Sequence, residues 1–181
     1  DGEIHSHVGM GLVPEVFTED ALRHLPGDVA VGHVRYSTTG KPEPRNAQPL
    51  TVRMRGGMHL SLAHNGNLTN AAELRAELED AGAIFQTTSD SEIFLHLISH
   101  CLKDMSLEEA ILSACDRVEG AYCLMIQAGG KLIAVRDPHG FHPLVMGRLG
   151  DAWVFASESC AFDLLEAERL RGVRPGEMIV I

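Results

Sequence analysis

The chain has 181 residues, of which 45% are hydrophobic, and its 25 Asp and Glu against 15 Lys and Arg give a formal net charge of −10. This length suits one domain with a substantial core, and the acidic balance argues against a nucleic-acid or anionic-membrane surface, since either needs a basic patch. No apolar run is long enough to span a bilayer and no signal-peptide pattern opens the chain, so we expect a cytoplasmic protein with neither membrane nor nucleic acid as partner.

The N-terminal third is predicted to alternate strands with one short helix. The pattern predicts a strand over residues 4–11, a helix over 14–25, a buried strand over 28–36, a polar loop over 37–49, and two strands over 50–55 and 58–63. The Gly56-Gly57 pair is typical of a turn between the last two strands.

Three helices are predicted to follow. Residues 69–82 form an amphipathic pattern that Gly82 ends, and residues 91–103 form a second one. Ser106 is a good N-cap for the third, because Glu109 stands three residues later, as in a capping box. Its apolar positions keep helical spacing: Ile111, Leu112, Cys115 and Val118.

The rest of the chain is predicted to form mainly short strands. Strands are predicted over 121–127, 132–136, 144–147, 152–156 and 177–181, with a short helix over 159–168. Strands, then helices, then hairpin strands indicate a mixed α+β fold with packed sheet and helix layers.

The four cysteines lie apart from one another, without a C-x-x-C pair. They are Cys101, Cys115, Cys123 and Cys160. The first three have apolar neighbours, which favours reduced thiols in a cytosolic protein. We therefore predict no zinc or iron–sulfur site within this chain.

Three short motifs, at residues 32–40, 64–67 and 89–92, carry the groups that a small zwitterion and a polarised carbonyl need. Arg35 can bind a carboxylate through two parallel hydrogen bonds, and Asp90 can pair with an ammonium group. Asn65 and the backbone N–H of Gly66 can donate hydrogen bonds to a developing oxyanion. No nucleophile accompanies this set.

Each motif alone also has a plain structural interpretation. Asn65-Gly66 is a common hairpin turn pair. A Ser-Asp-Ser sequence before an apolar helix is an ordinary capping context, in which Asp90 or Ser89 would cap. Arg35 at the end of a strand could be a surface charge.

Two other polar groups favour a structural interpretation. His96 and His100 lie four residues apart on a predicted helix, but they lack the pattern of a zinc-binding helix and are expected to be exposed. Asp137 follows a strand in a Pro- and Gly-containing segment and is expected to stabilise its own turn.

Taken together, the order and spacing of the motifs resemble the class II glutamine amidotransferases. Within that family they are most similar to the glutaminase domain of the amidophosphoribosyltransferases, from about Gly9 to the C-terminus. The motifs are Gly-His-x-Arg-Tyr-Ser-Thr at 32–38, Asn-Ala-Gln-Pro at 46–49, His-Asn-Gly-Asn at 64–67, Ser-Asp-Ser-Glu at 89–92, Arg-Asp-Pro-x-Gly at 136–140 and Phe-Ala-Ser-Glu-Ser at 155–159.

The resemblance implies a fold and a site. The fold is the four-layer αββα sandwich of the N-terminal-nucleophile hydrolases, as a partial type 2 amidotransferase domain over residues 1–181. In the site, Arg35 would bind the α-carboxylate of glutamine and Asp90 its α-ammonium group, while Asn65 and Gly66 would form the oxyanion hole. Two residues would line the pocket, Tyr36 and Thr38.

Members of this family attack the glutamine carboxamide with a cysteine at the mature N-terminus, whose own amine serves as the base. The ammonia then displaces pyrophosphate from phosphoribosyl pyrophosphate in a second domain, in the first committed step of purine synthesis. Because residue 1 is Asp, we expect a fragment truncated before the nucleophile segment and without the phosphoribosyltransferase domain, inactive as it stands.

The resemblance also implies partners and cofactors for the parent protein. These are glutamine, phosphoribosyl pyrophosphate through the second domain, a homo-oligomeric assembly, and magnesium; it leaves open whether the parent also holds an iron–sulfur cluster. No cofactor is expected in the fragment. His142 departs from the pattern, since relatives commonly carry Arg at this position.

Two alternatives stay open at this point. The chain could be a non-catalytic glutamine-binding module that kept the pocket and lost the chemistry. It could also come from another class II amidotransferase, such as a glucosamine-phosphate or asparagine synthase, although Tyr36-Ser37-Thr38 and the 46–49 and 171–177 segments favour the purine enzyme.

Overall fold

The computed structural model of the chain describes residues 3–35 and 43–181. The helices are α1 Val13–Val16, α2 Glu19–Arg23, α3 Ala71–Asp80, α4 Ser91–Cys101, α5 Leu107–Cys115 and α6 Cys160–Leu165. The strands are β1 Leu50–Arg53, β2 His59–Leu68, β3 Gly120–Ala128, β4 Lys131–Arg136, β5 Val145–Leu149, β6 Ala152–Ala156, β7 Glu168–Gly172 and β8 Met178–Val180. No helix in these described ranges is long and apolar enough to cross a membrane.

The strands form two antiparallel sheets. The larger has five strands in the order β1-β2-β3-β4-β8, and the smaller has three in the order β6-β5-β7. The longest ladder joins β2 to β3, from Leu60 opposite Ala128 to Leu68 opposite Gly120. This ladder is the rigid base on which the 64–67 motif lies.

The main core lies between the five-stranded sheet and helices α3 to α5. Leu60 and Leu62 on β2, Phe94 and Ile98 on α4, and Ile111 on α5 are all fully buried there. Each fully buried side chain of this size stabilises the fold by about 1.5–3 kcal/mol relative to leaving it in water. The sheet and the helices are therefore held as one unit.

A second core fills the space between the two sheets. Its buried members are Cys123, Ala134, Leu144, Met146 and Val173. On β5, neighbouring side chains point to opposite faces, so that Met146 faces the large sheet while Gly147 faces the Phe162 ring of α6. Helices, two sheets and α6 thus make the αββα sandwich that the resemblance implied.

The predictions of the three helices after residue 68 are confirmed. Helix α3 buries Leu74 and Leu78, and the chain turns at Gly82, where φ is +91°. Helix α5 starts with the predicted capping box, in which Ser106 Oγ accepts from Glu109 N and the Glu109 carboxylate accepts from Ser106 N at 2.9 Å. Of the apolar positions predicted for α5, Ile111 is fully buried, whereas Leu112 is 45% exposed.

The predicted strands at 4–11 and 28–36 are wrong for the described residues. A strand needs a neighbour that takes its backbone hydrogen bonds, and no described strand pairs with residues 3–35. Val34 is 69% exposed there, so the expected burial is also absent. The single helix predicted over 14–25 is instead the two short helices α1 and α2.

Two further differences concern strands near the site and in the small sheet. Asn65-Gly66 is not a turn: β2 runs on to Leu68 because β3 continues beside it. Strand β7 was not predicted, since all five of its residues are exposed and give no apolar alternation.

Candidate functional site

Asp90 joins the start of helix α4 to the end of strand β2. It occupies the N-cap position, yet its side chain does not cap the helix. Its Oδ2 accepts a hydrogen bond from the Leu68 backbone N–H at 2.9 Å. The capping role belongs to Ser89, whose Oγ accepts from Ser91 N at 3.3 Å. The Asp90 carboxylate is therefore a buried anion held against the strand that carries Asn65 and Gly66.

Asn65 and Gly66 lie within the β2–β3 ladder, opposite Cys123 and Tyr122. A Cβ atom on Gly66 would lie 1.9 Å from the carbonyl oxygen of Ala121, and its φ is +155°. Only glycine permits this approach of the two strands. The position is fixed by backbone packing, which holds the neighbouring Asn65 in one place.

His64, directly before this pair, is buried and points toward α4. Its Nδ1 lies 3.1 Å from Ser91 Oγ. Its ring packs edge-on against the Phe94 ring, with the two centroids 5.4 Å apart. Its backbone N–H donates to Gln48 Oε1 at 2.7 Å. Burial lowers the pKa of His64 most, against an opposing effect of the Asp90 charge, so the ring is neutral at physiological pH.

The rest of the 89–92 motif fixes the loop in front of α4. The Glu92 carboxylate accepts from Gln86 N at 2.9 Å and from the Thr87 backbone and hydroxyl at 2.7 Å each. Asn46 pairs with Thr88 through both ends of its amide. The 46–49 motif thus serves as an anchor for the loop in front of α4.

Arg35 lies half-buried at the end of the described N-terminal segment. It lines a cavity of about 610 Å³ together with apolar residues of that segment and with Gln48 and Ser61. This cavity is not lined by Asn65, Gly66 or Asp90.

His33 connects Arg35 electrostatically to His64. Burial, the His64 ring and the Arg35 charge lower the pKa of His33 to about 4. His33 is therefore neutral at physiological pH, as His64 is. Convergence of Arg35, Asn65, Gly66 and Asp90 on one bound glutamine stays a prediction, while Tyr36 and Thr38 lie outside the described residues.

Cys115 and Cys123 are not activated thiols. Burial raises the pKa of Cys123 to about 11 and that of Cys115 to about 11 as well, so both are protonated at neutral pH. Cys123 contacts the backbone oxygens of His142 and Pro143. Cys160 is exposed at the start of α6.

Asp137 stabilises its own turn, as predicted. Its carboxylate accepts from the backbone N–H groups of His139, Gly140 and Phe141. Arg136 spans the same region through three backbone carbonyls, one of them that of His142. The 136–140 motif is therefore a structural corner.

His96 differs from the sequence-based expectation of an exposed residue. It is half-buried, and its ring packs on Phe85 with centroids 4.4 Å apart. Within residues 3–35 and 43–181, no group of three or more His, Cys, Asp and Glu could hold a metal ion. The residues present do not fit a metal site, and no catalytic step is assigned to one.

Sequence reasoning missed the residues that surround Asp90. His64, Ser91 and Gln48 are buried polar residues whose hydrogen bonds bring together segments 16 to 43 positions apart. Each of them stands beside apolar residues within one of the motifs, and this was the signal that could have identified them. A polar side chain that is buried there needs a hydrogen-bond partner. Only the folded chain identifies that partner.

Comparison with known proteins gives a consistent family. A family model described as "Glutamine amidotransferase domain" matches residues 33–163. The chain is 50% identical to amidophosphoribosyltransferase 2, chloroplastic, of Arabidopsis thaliana, over 100% of this chain and 32% of that protein. It is 45% identical to the amidophosphoribosyltransferase of Bacillus subtilis (strain 168), over 100% of this chain and 38% of that protein. The chain thus spans about a third of these relatives.

A solved structure shares the fold over the whole of this chain. The glutamine phosphoribosylpyrophosphate amidotransferase from B. subtilis, complexed with ADP and GMP, superposes with a TM-score of 0.93 at 44% identity. The match covers 100% of this chain and 39% of that one.

Proposed function

This chain belongs to the glutamine amidotransferase family, and from that premise we propose that it is the glutaminase part of an amidophosphoribosyltransferase. It hydrolyses glutamine and supplies the ammonia that forms phosphoribosylamine from phosphoribosyl pyrophosphate in de novo purine synthesis. The identities of 50% and 45% to amidophosphoribosyltransferases over the whole chain support this assignment over other members of the family.

One observation carries the glutamine site: the buried Asp90 carboxylate, held by Leu68 N–H at the end of the strand that bears Asn65 and Gly66. An anion is costly to bury unless it is paired or hydrogen-bonded. Its Oδ2 takes that backbone bond, and within the described ranges neither carboxylate oxygen forms an ion pair with Lys or Arg. A ligand ammonium group is the partner that suits it.

The proposed chemistry follows from where charge lies in glutamine and where it develops. Arg35 binds the α-carboxylate and Asp90 the α-ammonium group, which fixes the ligand at both charged ends. Attack on the carboxamide carbon moves charge onto its oxygen. The Asn65 side chain and the Gly66 N–H then stabilise that oxygen more strongly than they did the ground state.

The wider setting is proposed on the same grounds. Unpaired cysteines suit a reducing compartment, which supports the cytoplasm. We propose a homo-oligomer whose second substrate is phosphoribosyl pyrophosphate, with its magnesium bound outside the residues described here.

The test is glutamine hydrolysis by the natural full-length protein. Ammonia release from glutamine should be coupled to pyrophosphate release from phosphoribosyl pyrophosphate. Added ammonium should replace glutamine as the nitrogen donor. Glutamine binding without turnover would instead identify a non-catalytic module, and turnover coupled to a different acceptor would identify another amidotransferase.

A further inference from the structure

A buried hydrogen-bond network centres on the hydroxyl of Ser91, at the first turn of α4. Three side-chain atoms surround Ser91 Oγ: Gln48 Nε2 at 3.1 Å, Ser89 Oγ at 3.0 Å and His64 Nδ1 at 3.1 Å. Ser91 and His64 are 1% and 3% exposed. None of these side chains has a role in the chemistry above, although His64 lies on the strand with the oxyanion donors and Ser91 directly follows Asp90.

The positions of the protons in this network follow from its partners. His64 Nε2 lies 3.4 Å from the carbonyl oxygen of Ala121, which can only accept. A neutral imidazole carries one N–H, so that proton belongs on Nε2, and Nδ1 is an acceptor. Ser91 must then donate to Nδ1, while the Gln48 amide and the Ser89 hydroxyl donate to Ser91. Every member of the network is satisfied in this arrangement.

This arrangement determines what Asp90 faces. Its Oδ1 lies 3.7 Å from His64 Nδ1, and an unprotonated Nδ1 presents a lone pair, which cannot neutralise a carboxylate. Within the described ranges, Asp90 forms no ion pair with Lys or Arg. With the opposite tautomer or a protonated ring, an Nδ1–H would point at Oδ1 and compete with an ammonium ligand.

We propose that Ser91 and His64 are positioning residues for the ammonium group of glutamine. Ser91 holds His64 in the Nε2–H tautomer, so that Asp90 keeps its charge for the ligand. This inference rests on the proposed function and adds two residues to its site.

Three titratable groups act on His64 from the elements around it. Asp90 at the start of α4 favours the charged ring, His142 after β4 disfavours it, and His33 of the N-terminal segment lies within electrostatic range. Burial outweighs the attraction of Asp90 and lowers the pKa of His64. The imidazole is therefore neutral at pH 7 to 8.

The first test needs no variant. In the natural full-length protein labelled with ¹⁵N-histidine, the His64 nitrogen shifts should report an unprotonated Nδ1 and a protonated Nε2 at pH 7 to 8, with the signal assigned from His64→Gln. A protonated Nδ1 would overturn the proposal, whatever the activity of any variant.

The second test is Ser91→Ala in the same protein. Loss of the donor should raise the KM for glutamine roughly tenfold, the effect of one hydrogen bond near a charged group, with little change in kcat. Ammonia-dependent synthesis should be unchanged. Ser91→Thr, which keeps the hydroxyl, should restore the KM.

Ser99→Ala is the matched control, because Ser99 lies two turns further along the same helix outside the network. It should leave KM and kcat as in the wild type. An unchanged KM in Ser91→Ala, or equal losses of glutamine- and ammonia-dependent rates, would overturn the inference alone. A wild-type protein that releases no ammonia from glutamine would contradict the proposed function and this inference with it.

Discussion

At the scale of single residues, Asp90 shows how position in sequence and role can differ. An aspartate before an apolar helix usually caps it, but this carboxylate bonds across to Leu68 on β2. Ser89 takes the capping role instead. The same four residues therefore end a loop, start a helix and present an anion, and only the last of these concerns chemistry.

Replacement of Asn65 by alanine tests the oxyanion role. In the full-length protein, kcat with glutamine should fall by roughly 100- to 1000-fold, about 2.7–4 kcal/mol, while KM changes little. The reason is that the amide donor meets the charge only as it develops. Steady-state kinetics with glutamine and with ammonia measure both rates. Equal loss with the two nitrogen donors would mean that Asn65 maintains the fold.

Replacement of Arg35 by alanine should have a different kinetic signature. A carboxylate clamp acts on bound glutamine as well as on the transition state, so the loss should appear mainly as a KM raised roughly 10- to 100-fold. The ammonia-dependent rate should stay the same. A large fall in kcat at unchanged KM would contradict the assignment of Arg35 to the α-carboxylate.

At the scale of elements, α5 shows a helix boundary set by local chemistry alone. Ser106 and Glu109 satisfy two backbone N–H groups that the first turn leaves without partners. The Ser106 hydroxyl and, to a lesser extent, the Ser106 backbone N–H both donate to the Glu109 carboxylate and lower its pKa. No tertiary contact is needed to explain where this helix begins.

Ser106→Ala should therefore destabilise the protein by about 1 kcal/mol, whereas Ser106→Thr, which keeps the capping oxygen, should cost much less. Because the Glu109 pKa is lowered in the folded state, its contribution is present above the ordinary carboxyl pKa and is lost as the pH falls through the folded value. The difference in stability between Ser106→Ala and the wild type should therefore be smaller at pH 4 than at pH 7. Thermal unfolding at pH 7 and pH 4 measures it, and a larger difference at pH 4 would contradict this explanation.

At the scale of the whole molecule, two sheets and two helix layers are held together by separate cores. The close packing between the small sheet and α6 depends on Gly147, since a Cβ there would lie 2.0 Å from the Glu168 carbonyl oxygen and 2.4 Å from the Phe162 ring. Interiors this dense cannot absorb an added methyl group without movement of the backbone.

Gly147→Ala should cost about 1–3 kcal/mol of stability through overpacking. Gly172→Ala is the matched control in the same sheet, because its nearest neighbour would be the Leu144 carbonyl oxygen at an ordinary 3.9 Å. Chemical denaturation of both variants and the wild type gives the comparison. Similar stabilities for the two variants would show that α6 is not tightly packed on this sheet.

Residues with a local signal were predictable without the fold. The caps, the apolar faces of α3 to α5 and the glycines that end elements each act within a few positions, and the order of the six motifs identified the family. Strand β7 gave no signal, because it is exposed throughout and owes its place to pairing with β5. Residues 4–11 gave a false one, since apolar residues alone do not supply a strand with a hydrogen-bonding neighbour.

The site residues divide along the same line. Arg35, Asn65, Gly66 and Asp90 could be chosen from the printed sequence because their chemistry suits glutamine. Their surroundings could not: Asn65-Gly66 became strand because β3 runs beside it, and His64, Ser91 and Gln48 acquired their roles only when distant segments met. Side-chain chemistry and helix signals are local properties, whereas burial, strand pairing and proton positions depend on which groups the folded chain brings into contact.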